Sequence, residues 1–301
     1  MTASEPPPGV AVSVAPGVRR ITCANPSPMT CTGTQTYLVG TREVAVIDPG
    51  PENPGHHAAI EAALAPGARI AAILVTHSHR DHSPGAAELS ARWQAPVIGF
   101  GPHGAGMSAV MRDLAARGGL GGGEGADTAF APDRTLADGQ SLMAGETTIT
   151  ALHTPGHLSN HLCFALPGGV VFTGDTVMGW ATTLVSPPEG DMAAFMASLA
   201  RLSRRDDRLF LPGHGPPVTE PAALLAAQTA HRETRAEQIL AALSAGPATP
   251  GALAEAIYAD TDPRLLPAAR RNVLATLIWQ MQAGRVAVDG ALGPDAVFRL
   301  A

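Results

Sequence analysis

The sequence contains no lysine, and all 20 of its basic residues are arginine. This absence excludes every mechanism that needs a lysine amine, including Schiff-base chemistry, pyridoxal phosphate anchoring and the lysine of a phosphate-binding P-loop. Alanine, glycine and proline are abundant at the same time. We therefore attribute the use of arginine to the nucleotide composition of the source genome rather than to function.

Cysteine is also scarce. The three cysteines, Cys23, Cys31 and Cys163, are too few and too irregularly spaced for a disulfide framework or a zinc ribbon. Cys163 lies within an apolar run, where a small buried side chain is the expected role. We assign no chemistry to any of the three.

Long apolar runs are missing as well. No segment approaches the roughly 20 residues that span a bilayer, and residues 1–16 lack the basic start and apolar core of a signal peptide. These features predict a cytoplasmic protein with no membrane association. The 301 residues, of which 45% are hydrophobic, suffice for one large domain and one small domain.

A surplus of positive charge is absent too. The formal net charge is −6, and from residue 231 onward seven arginines are balanced by seven acidic residues. A nucleic-acid-binding protein usually presents a basic surface, so this balance argues against RNA as the partner. We interpret the pair Arg270 and Arg271 as part of a solvated helix face.

A dense group of metal-ligand residues lies between positions 77 and 82. It follows the apolar run 73–75, which predicts a strand that ends in ligands. His77 and His79 are two residues apart, so on extended backbone both imidazoles point to the same side and can bind one ion. Asp81 and His82 follow on a turn and can face a second ion. Imidazole and carboxylate suit zinc best, with manganese and iron as alternatives.

Three more candidate ligands lie downstream, each in a short, turn-rich motif after an apolar stretch. His157 ends a Thr-Pro-Gly-His motif, Asp175 ends a Thr-Gly-Asp motif, and His214 lies in a Pro-Gly-His-Gly motif. Loops at strand ends are where a sheet commonly displays functional side chains.

The ordered set HxHxDH, TPGH, TGD and PGHG resembles the metallo-β-lactamase superfamily of binuclear metal hydrolases. The resemblance implies an αββα sandwich with two metals at one edge. It also implies the ligand sets, which are His77, His79 and His157 for the first metal, Asp81, His82 and His214 for the second, and Asp175 as the bridge.

Other stretches resemble the β-lactamase-like protein 2 branch of that superfamily. These are residues 25–30, 33–40 and 47–51 in the amino-terminal half, and the motif HRETR at 231–235, which begins a helical appendage. The branch includes endoribonucleases and thioesterases, so this resemblance defines the scaffold better than the substrate.

The implied mechanism uses a hydroxide shared between two zinc ions, with Asp81 as the catalytic residue that aims it. We predict hydrolysis of ester or thioester bonds in a small-molecule substrate, with two zinc ions per chain and no assigned oligomeric state. The alternative is a metal-dependent endoribonuclease or phosphodiesterase. A mononuclear-iron sulfur dioxygenase and a β-lactamase fit less well, the latter because such lactamases generally carry export signals and often replace one ligand.

Several residues near these motifs have predicted supporting roles. His161 either orients a ligand or is a core histidine bonded to backbone, and His153 is predicted to be structural or to support the ligands from behind. Asp48 is expected to brace the metal loops without binding metal. The remaining predictions are surface positions for His56, His57 and His103, and substrate contact for Thr176 and Trp180, with packing as the competing role of Trp180.

Alternating strand-like and helix-like segments predict an α/β fold with two similar halves. We assign 1–220 to a metallo-β-lactamase-like catalytic domain and 221–301 to a small helical, winged-helix-like domain that shapes the substrate pocket. Residues 118–125 are predicted to be a glycine-rich linker. The predicted strands are 36–39, 44–47, 70–75, 96–100, 147–152, 161–166, 170–172 and 208–211, followed by a hairpin at 284–290 and 296–299. The predicted helices are 55–64, 84–93, 191–202, 222–242, 249–258 and 265–283.

Overall fold

Two β-sheets packed face to face form the centre of the computed structural model, which describes residues 6–120 and 125–301. The first sheet contains β1 to β7 in chain order, which are Val12–Ala15, Val18–Thr22, Gln35–Val39, Glu43–Ile47, Arg69–Leu74, Val97–Gly99 and Arg134–Thr135. The second contains β8 to β12, which are Ser141–Ala144, Thr147–His153, Leu162–Leu166, Val170–Gly174 and Leu209–Pro212. Neighbours in this sheet are also neighbours in the sequence.

Helices lie on the outer faces of the sheets and make up most of the chain after residue 220. The first four are α1 Pro54–Ala62, α2 Gly85–Trp93, α3 Ala109–Arg117 and α4 Met192–Leu202. The appendage consists of α5 Pro221–Leu243, α6 Pro250–Ile257, a 3₁₀ turn at Pro263–Leu265, α7 Leu266–Gln282, and the hairpin β13 Val286–Asp289 and β14 Val297–Leu300.

Apolar side chains from both sheets fill the space between them. Tyr37 of β3 and Phe172 of β11 are fully buried there, with ring centroids 5.1 Å apart. Outside the first sheet, α1 and α2 bury Ile60 and Leu89, and outside the second, α4 buries Phe195. The layers are therefore helix, sheet, sheet and helix, which confirms the predicted αββα sandwich.

Every predicted strand and helix is present, with ends displaced by no more than two residues. Periodicity did not predict β1, β2, β7, β8 or α3. Of these, β1, β7 and β8 are short and α3 is only partly buried, whereas β2 is a mostly buried strand. The predicted glycine-rich linker lies partly outside the described residues, since it includes 121–124. Among the described helices, none is both long enough and apolar enough to cross a membrane.

Strand direction brings the ligand-bearing loops to one edge of the sandwich. Strands β11 and β12 are parallel and end at Gly174 and Pro212, so the loops carrying Asp175 and His214 leave the sheet side by side. The backbone N–H of Gln35 donates to the carbonyl of Gly213 over 2.7 Å and ties the first sheet to this edge. Strand β5 belongs to that first sheet and precedes the ligands at 77–82.

The appendage shares its core with the catalytic half. Met111 and Leu114 of α3 belong to the same buried cluster as Ile239, Leu277 and Phe298. The domain boundary after residue 220 remains a prediction, and the side chains on its two sides pack as one unit.

Candidate metal centre

Two groups of ligand atoms converge at this edge of the sandwich. In the first, His77, His79, His157 and Asp175 each place one ligand atom within 4.8 Å of the others. The Nε2 atoms of His77 and His157 both lie 3.0 Å from Nδ1 of His79. Three imidazole nitrogens facing one another at this distance form a suitable cradle for a cation.

The second group consists of Asp81, His82 and His214, whose ligand atoms also lie within 4.8 Å of one another. Oδ2 of Asp81 is 3.2 Å from Nε2 of His214 and 3.4 Å from Nε2 of His82. The two histidine Nε2 atoms are 3.3 Å apart. The structure thus brings together all seven residues that the sequence proposed as ligands, in two groups.

Asp175 lies between the two groups. Its Oδ2 is 3.6 Å from Nε2 of His157 and 3.3 Å from Nε2 of His214, and its Oδ1 is 3.5 Å from Nε2 of His82. Oδ1 is buried and accepts no hydrogen bond from the described residues. A buried carboxylate oxygen without a partner fits metal coordination, and this position is the one that a bridging ligand requires.

Protein acceptors occupy the opposite ring nitrogen of four of these histidines. Such contacts fix the ring orientation and are typical of metal-binding histidines, because they leave the other nitrogen facing the ion. The four Nδ1 contacts are His77 to Thr76 Oγ1 at 2.9 Å, His82 to Asp48 Oδ2 at 2.9 Å, His157 to the Leu184 carbonyl at 2.7 Å, and His214 to the Gly33 carbonyl at 3.3 Å.

The histidines of the first group are neutral at pH 7. Burial, followed by the charges of neighbouring histidines, lowers the pKa of His77 well below its ordinary value. Burial and His157 lower the pKa of His79 to about 3, and burial lowers the pKa of His157. Neutral imidazole is the form that binds metal, so these residues need lose no proton to bind an ion.

The second group has the opposite electrostatics. Burial alone would lower the pKa of His82 and His214, but the carboxylates of Asp81 and Asp175 outweigh it. They raise the pKa of His82 well above its ordinary value and that of His214 to about 9. In the metal-free chain these histidines hold protons between carboxylates, and a divalent cation would take the place of those protons. The donor set fits divalent metal.

Asp48 braces this centre from behind, as the sequence predicted. Its Oδ1 accepts a hydrogen bond from the Thr76 N–H at 2.7 Å, and its Oδ2 accepts from Thr76 Oγ1 at 2.7 Å and from His82 Nδ1 at 2.9 Å. The carboxylate is buried and belongs to neither ligand group. Asp48 therefore links Thr76, which follows β5, to His82, a candidate ligand of the second group.

His161 fits both predicted roles, because it is a buried core histidine bonded to backbone and that backbone belongs to a candidate ligand. Its Nε2 accepts a hydrogen bond from the backbone N–H of Asp175 at 3.1 Å, and its ring stacks on His77 with centroids 5.0 Å apart. Nδ1 contacts the hydroxyls of Thr154 and Thr176 at 3.0 and 3.1 Å. The fully buried imidazole thus orients a candidate bridging residue and packs against a candidate ligand.

The surface positions predicted for three histidines are wrong. His56 and His57 are buried, and His103 is half-buried. The first turn of α1 packs against two glycines, with His56 beside Gly50 and His57 beside Gly85. The missing glycine side chains leave room for the imidazole rings, which residue-type preferences alone did not indicate.

His153 and Cys163 are structural, as predicted. His153 stacks on Phe100 at 3.8 Å between centroids and donates from Nε2 to the Ser159 carbonyl at 2.9 Å. Cys163 is fully buried, and burial raises its pKa to about 12. All three cysteines are free thiols.

The paired arginines of α7 have different environments. Arg270 is exposed and forms an ion pair with Glu255 at 2.5 Å, as expected of a solvated face. Arg271 is half-buried, donates to Ser186 Oγ at 2.8 Å and also donates to the Pro187 carbonyl. The solvated-face interpretation is therefore wrong for Arg271, which anchors a loop of the catalytic half.

Arg232 is a residue near the site for which the sequence predicted no role. It lies in the HRETR motif, but a charged residue on a helix ordinarily predicts exposure. The structure instead leaves it 5% exposed, with hydrogen bonds to the Thr183 carbonyl and to Asn272 Oδ1 and with its guanidinium 5.2 Å from the Phe195 ring centroid. Burial lowers its pKa to about 10, so it remains charged at pH 7.

Two cavities meet at the ligand groups. One, of about 290 Å³, extends between the catalytic half and the appendage, and the other, of about 320 Å³, extends past Glu189 and Gly125. Trp180 lines the first cavity, whereas Thr176 is buried and lines neither. Both cavities are lined by Met29, His157, Asp175 and Leu184.

Comparison with known families agrees with this geometry. The profile described as "Metallo-beta-lactamase superfamily" matches residues 29–214, which include all seven candidate ligands. The chain belongs to the metallo-β-lactamase superfamily. A second profile, "Beta-lactamase associated winged helix domain", matches residues 249–293, so the appendage contains a winged-helix domain.

Individual members of the superfamily extend the comparison. An atrochrysone carboxyl ACP thioesterase of Aspergillus chevalieri is 33% identical over 76% of this chain and 67% of its own. A crystal structure titled beta-lactamase domain protein from Burkholderia ambifaria has a TM-score of 0.82 and 24% identity, and covers 100% of this chain and 96% of its own. TTHA1623, solved in a di-iron-bound form, has a TM-score of 0.51 and 31% identity, over 69% of this chain and 97% of its own. Superfamily membership and the thioesterase-named relative establish a metal-dependent hydrolase.

Proposed function

We propose that the protein is a binuclear zinc hydrolase that cleaves thioesters of small acyl groups. The observation that carries this proposal is that two of the candidate ligands line a mostly apolar cavity. His157 and Asp175, one from the first group and one between the two groups, form part of the cavity lining. A substrate carbonyl beside these two residues would lie next to the candidate ligand groups while the apolar lining keeps its acyl group out of water.

Two metals are supported by the division of the donors into two groups with Asp175 between them. The di-iron form of TTHA1623 supports a pair of ions in this fold. Three imidazoles in one group, and two imidazoles with a carboxylate in the other, suit zinc among the common biological metals, and iron is the alternative to be tested.

Asp81 is the proposed catalytic residue. Divalent metal, when bound, supplies a water with a lowered pKa and a Lewis acid for the substrate oxygen. The Asp81 side chain is 27% exposed, more than the other side chains of its group, and lines the second cavity. Its Oδ2 accepts a hydrogen bond from Thr34 Oγ1 at 2.9 Å. This contact holds the carboxylate where it can accept a hydrogen bond from the attacking water and aim it at the carbonyl carbon.

A thioester is favoured over RNA by the walls of the cavity. Its lining is mostly apolar and includes Met29, Met178, Trp180 and Leu184, with Arg235 as its arginine. Binding of a polynucleotide needs several cations along the phosphate backbone. The relative from Aspergillus chevalieri carries a thioesterase name, and that name supports the same choice.

The test compares hydrolysis of acyl thioesters with cleavage of single-stranded RNA by the zinc-loaded enzyme. Asp81→Ala and His79→Ala are expected to abolish turnover while the circular dichroism spectrum is retained. The exposed Asp262, outside both ligand groups, provides the control Asp262→Ala, which should retain full activity. RNA cleavage that depends on His79, without thioester turnover, would replace this proposal with a nuclease.

Metal analysis of the purified chain tests the cofactor separately. Two zinc ions per chain are expected, with both lost from a variant that combines His77→Ala and His214→Ala. One iron per chain and no zinc would contradict the binuclear zinc assignment and favour oxidative chemistry instead.

A further inference from the structure

The appendage contributes polar side chains to the mostly apolar cavity that two candidate ligands also line. His231 and Arg235 lie one turn apart on α5, so they project from the same face of the helix, and both line the cavity. Tyr258 and Thr261 line the cavity as well. These side chains all come from the appendage, whereas His157 and Asp175 of the ligand groups come from the catalytic half.

The guanidinium of Arg235 is held in a defined position. It lies 4.4 Å from the centroid of the Tyr258 ring, a cation–π contact. Its Nη1 donates to Gln238 Oε1 at 2.8 Å and to the Ile257 carbonyl at 3.5 Å. Within the described part of the chain, all of its hydrogen bonds use Nη1, so the rest of the guanidinium edge remains for a ligand.

Among the described residues, the charge of Arg235 has no protein counterion. Arg264 and Arg270, elsewhere in the appendage, form ion pairs with Asp262 and Glu255 at 2.6 and 2.5 Å. Over residues 6–120 and 125–301, neither Arg235 nor the buried Arg232 forms an ion pair. The acidic residue in the described lining of the cavity is Asp175, which belongs to the ligand centre.

His231 adds a neutral hydrogen-bonding group beside this charge. Burial lowers its pKa, and the charges of Arg232 and Arg235 lower it further. The imidazole is therefore neutral at pH 7 and can donate one hydrogen bond. An arginine that forms no ion pair with the described residues, one helical turn from a neutral donor in a mostly apolar cavity lining, complements an anionic oxygen.

We propose that Arg235 and His231 recognise a carboxylate at the end of the acyl group remote from the thioester. The substrate class is then a monothioester of a dicarboxylic acid, or of a similar acyl chain with a terminal acid. The apolar walls around Met178 and Trp180 would cover the methylene chain, and the bidentate geometry of arginine suits the terminal carboxylate. This inference deepens the proposed thioesterase function and rests on it.

The experiment uses the full-length, zinc-loaded chain and two N-acetylcysteamine thioesters of equal length, octanoyl and the suberic monothioester. The wild type is expected to have a kcat/KM at least tenfold higher for the suberic thioester. Arg235→Gln should reduce this ratio at least tenfold. The control Arg264→Gln removes an exposed arginine outside the cavity and should leave the ratio unchanged.

A second variant, Arg235→Lys, distinguishes loss of carboxylate recognition from a general effect on folding. Arg235→Lys keeps the charge but loses the planar fork, so it should retain part of the preference. Hydrolysis of both thioesters with equal kcat/KM by the wild type would overturn this inference and leave the thioesterase proposal intact. Failure to hydrolyse either thioester, with RNA cleaved instead, would overturn the proposed function itself. A preference that persists in Arg235→Gln would also overturn the assignment.

Discussion

Arg232 of the appendage donates a hydrogen bond to the carbonyl of Thr183, in the loop that follows Asp175. The Thr183 hydroxyl in turn donates to the carbonyl of Asp175 at 2.7 Å, and the neighbouring carbonyl of Leu184 accepts from Nδ1 of His157 at 2.7 Å. One loop thus contacts two of the candidate ligands. The buried guanidinium of Arg232, from the appendage, holds that loop in turn.

A second appendage residue strengthens the same contact. Oδ1 of Asn272 accepts hydrogen bonds from the Val185 N–H at 3.0 Å and from Arg232 at 3.3 Å. The appendage therefore holds the loop that follows Asp175 through residues of both α5 and α7. Its role extends beyond forming a wall of the cavity.

Removal of the buried guanidinium of Arg232 should weaken metal binding. We expect Arg232→Met, which preserves much of the volume, to lower metal affinity by about tenfold, because contacts behind the ligands typically contribute that much. Competition with a chelator measures the affinity. The exposed Arg264→Gln should leave it unchanged. Equal affinities of Arg232→Met and the wild type would show that the loop keeps its position without Arg232.

Gly213, the first glycine of the Pro-Gly-His-Gly motif, should tolerate no side chain. A Cβ atom at Gly213 would lie 2.4 Å from Oδ1 of Asp175 and 2.7 Å from Cε1 of His82. We expect Gly213→Ala to reduce kcat/KM by about 100-fold, since a displacement on the order of 1 Å in a catalytic centre can cost that much. Gly293→Ala is a matched control, because its Cβ would meet no described atom within 4 Å. Full activity of Gly213→Ala would contradict the proposed bridging position of Asp175.

Asp48 should contribute to metal affinity without being a ligand. Asp48→Asn replaces one carboxylate oxygen by an amide donor, which conflicts with the hydrogen that Nδ1 of His82 presents. A loss of about 10- to 100-fold in metal affinity is expected. Asp133→Asn serves as the control, since Asp133 is exposed and accepts a hydrogen bond from Val97 N–H in the sheet. Metal affinity that falls equally in both variants would indicate a general loss of stability instead.

His56 should make the protein sensitive to acid. Burial, followed by the charge of His57, lowers the pKa of His56 from 6.5 to about 4. Between pH 7 and 5 the unfolded chain takes up a proton at this position and the folded chain does not. Its contribution to the free energy of unfolding should therefore fall by about 2 kcal/mol over that interval. Urea denaturation at both pH values checks this: His56→Gln should lose that much less stability than the wild type, and parallel losses would contradict the assignment.

Several candidate ligand positions could be predicted from the sequence because they lie close after a buried strand. Val75 precedes the first ligands by two residues, and Gly174 and Pro212 end the strands before Asp175 and His214. The position of a side chain in a short motif at a strand end depends little on the rest of the fold. The order of these motifs supported the resemblance to the superfamily, and that resemblance implied the two ligand sets.

The contacts behind the ligands could not be predicted in this way. Arg232 and Thr183 are separated by 49 residues, and no periodicity links an arginine on a helix to a carbonyl in a loop. His56 was misplaced for a related reason, since its burial depends on the absence of a side chain at Gly50. Such contacts depend on how distant helices, strands and loops pack together. The local sequence pattern does not predict that packing.

The sharing of one buried core by α3 and the appendage has a consequence for synthesis of the chain. All seven candidate ligands precede residue 215, so they leave the ribosome before Arg232 and Asn272 do. Domains generally fold from the amino terminus as the chain emerges. We therefore expect the nascent catalytic half to bind metal loosely and to exchange it, and the ions to become firmly retained only when the last helix docks.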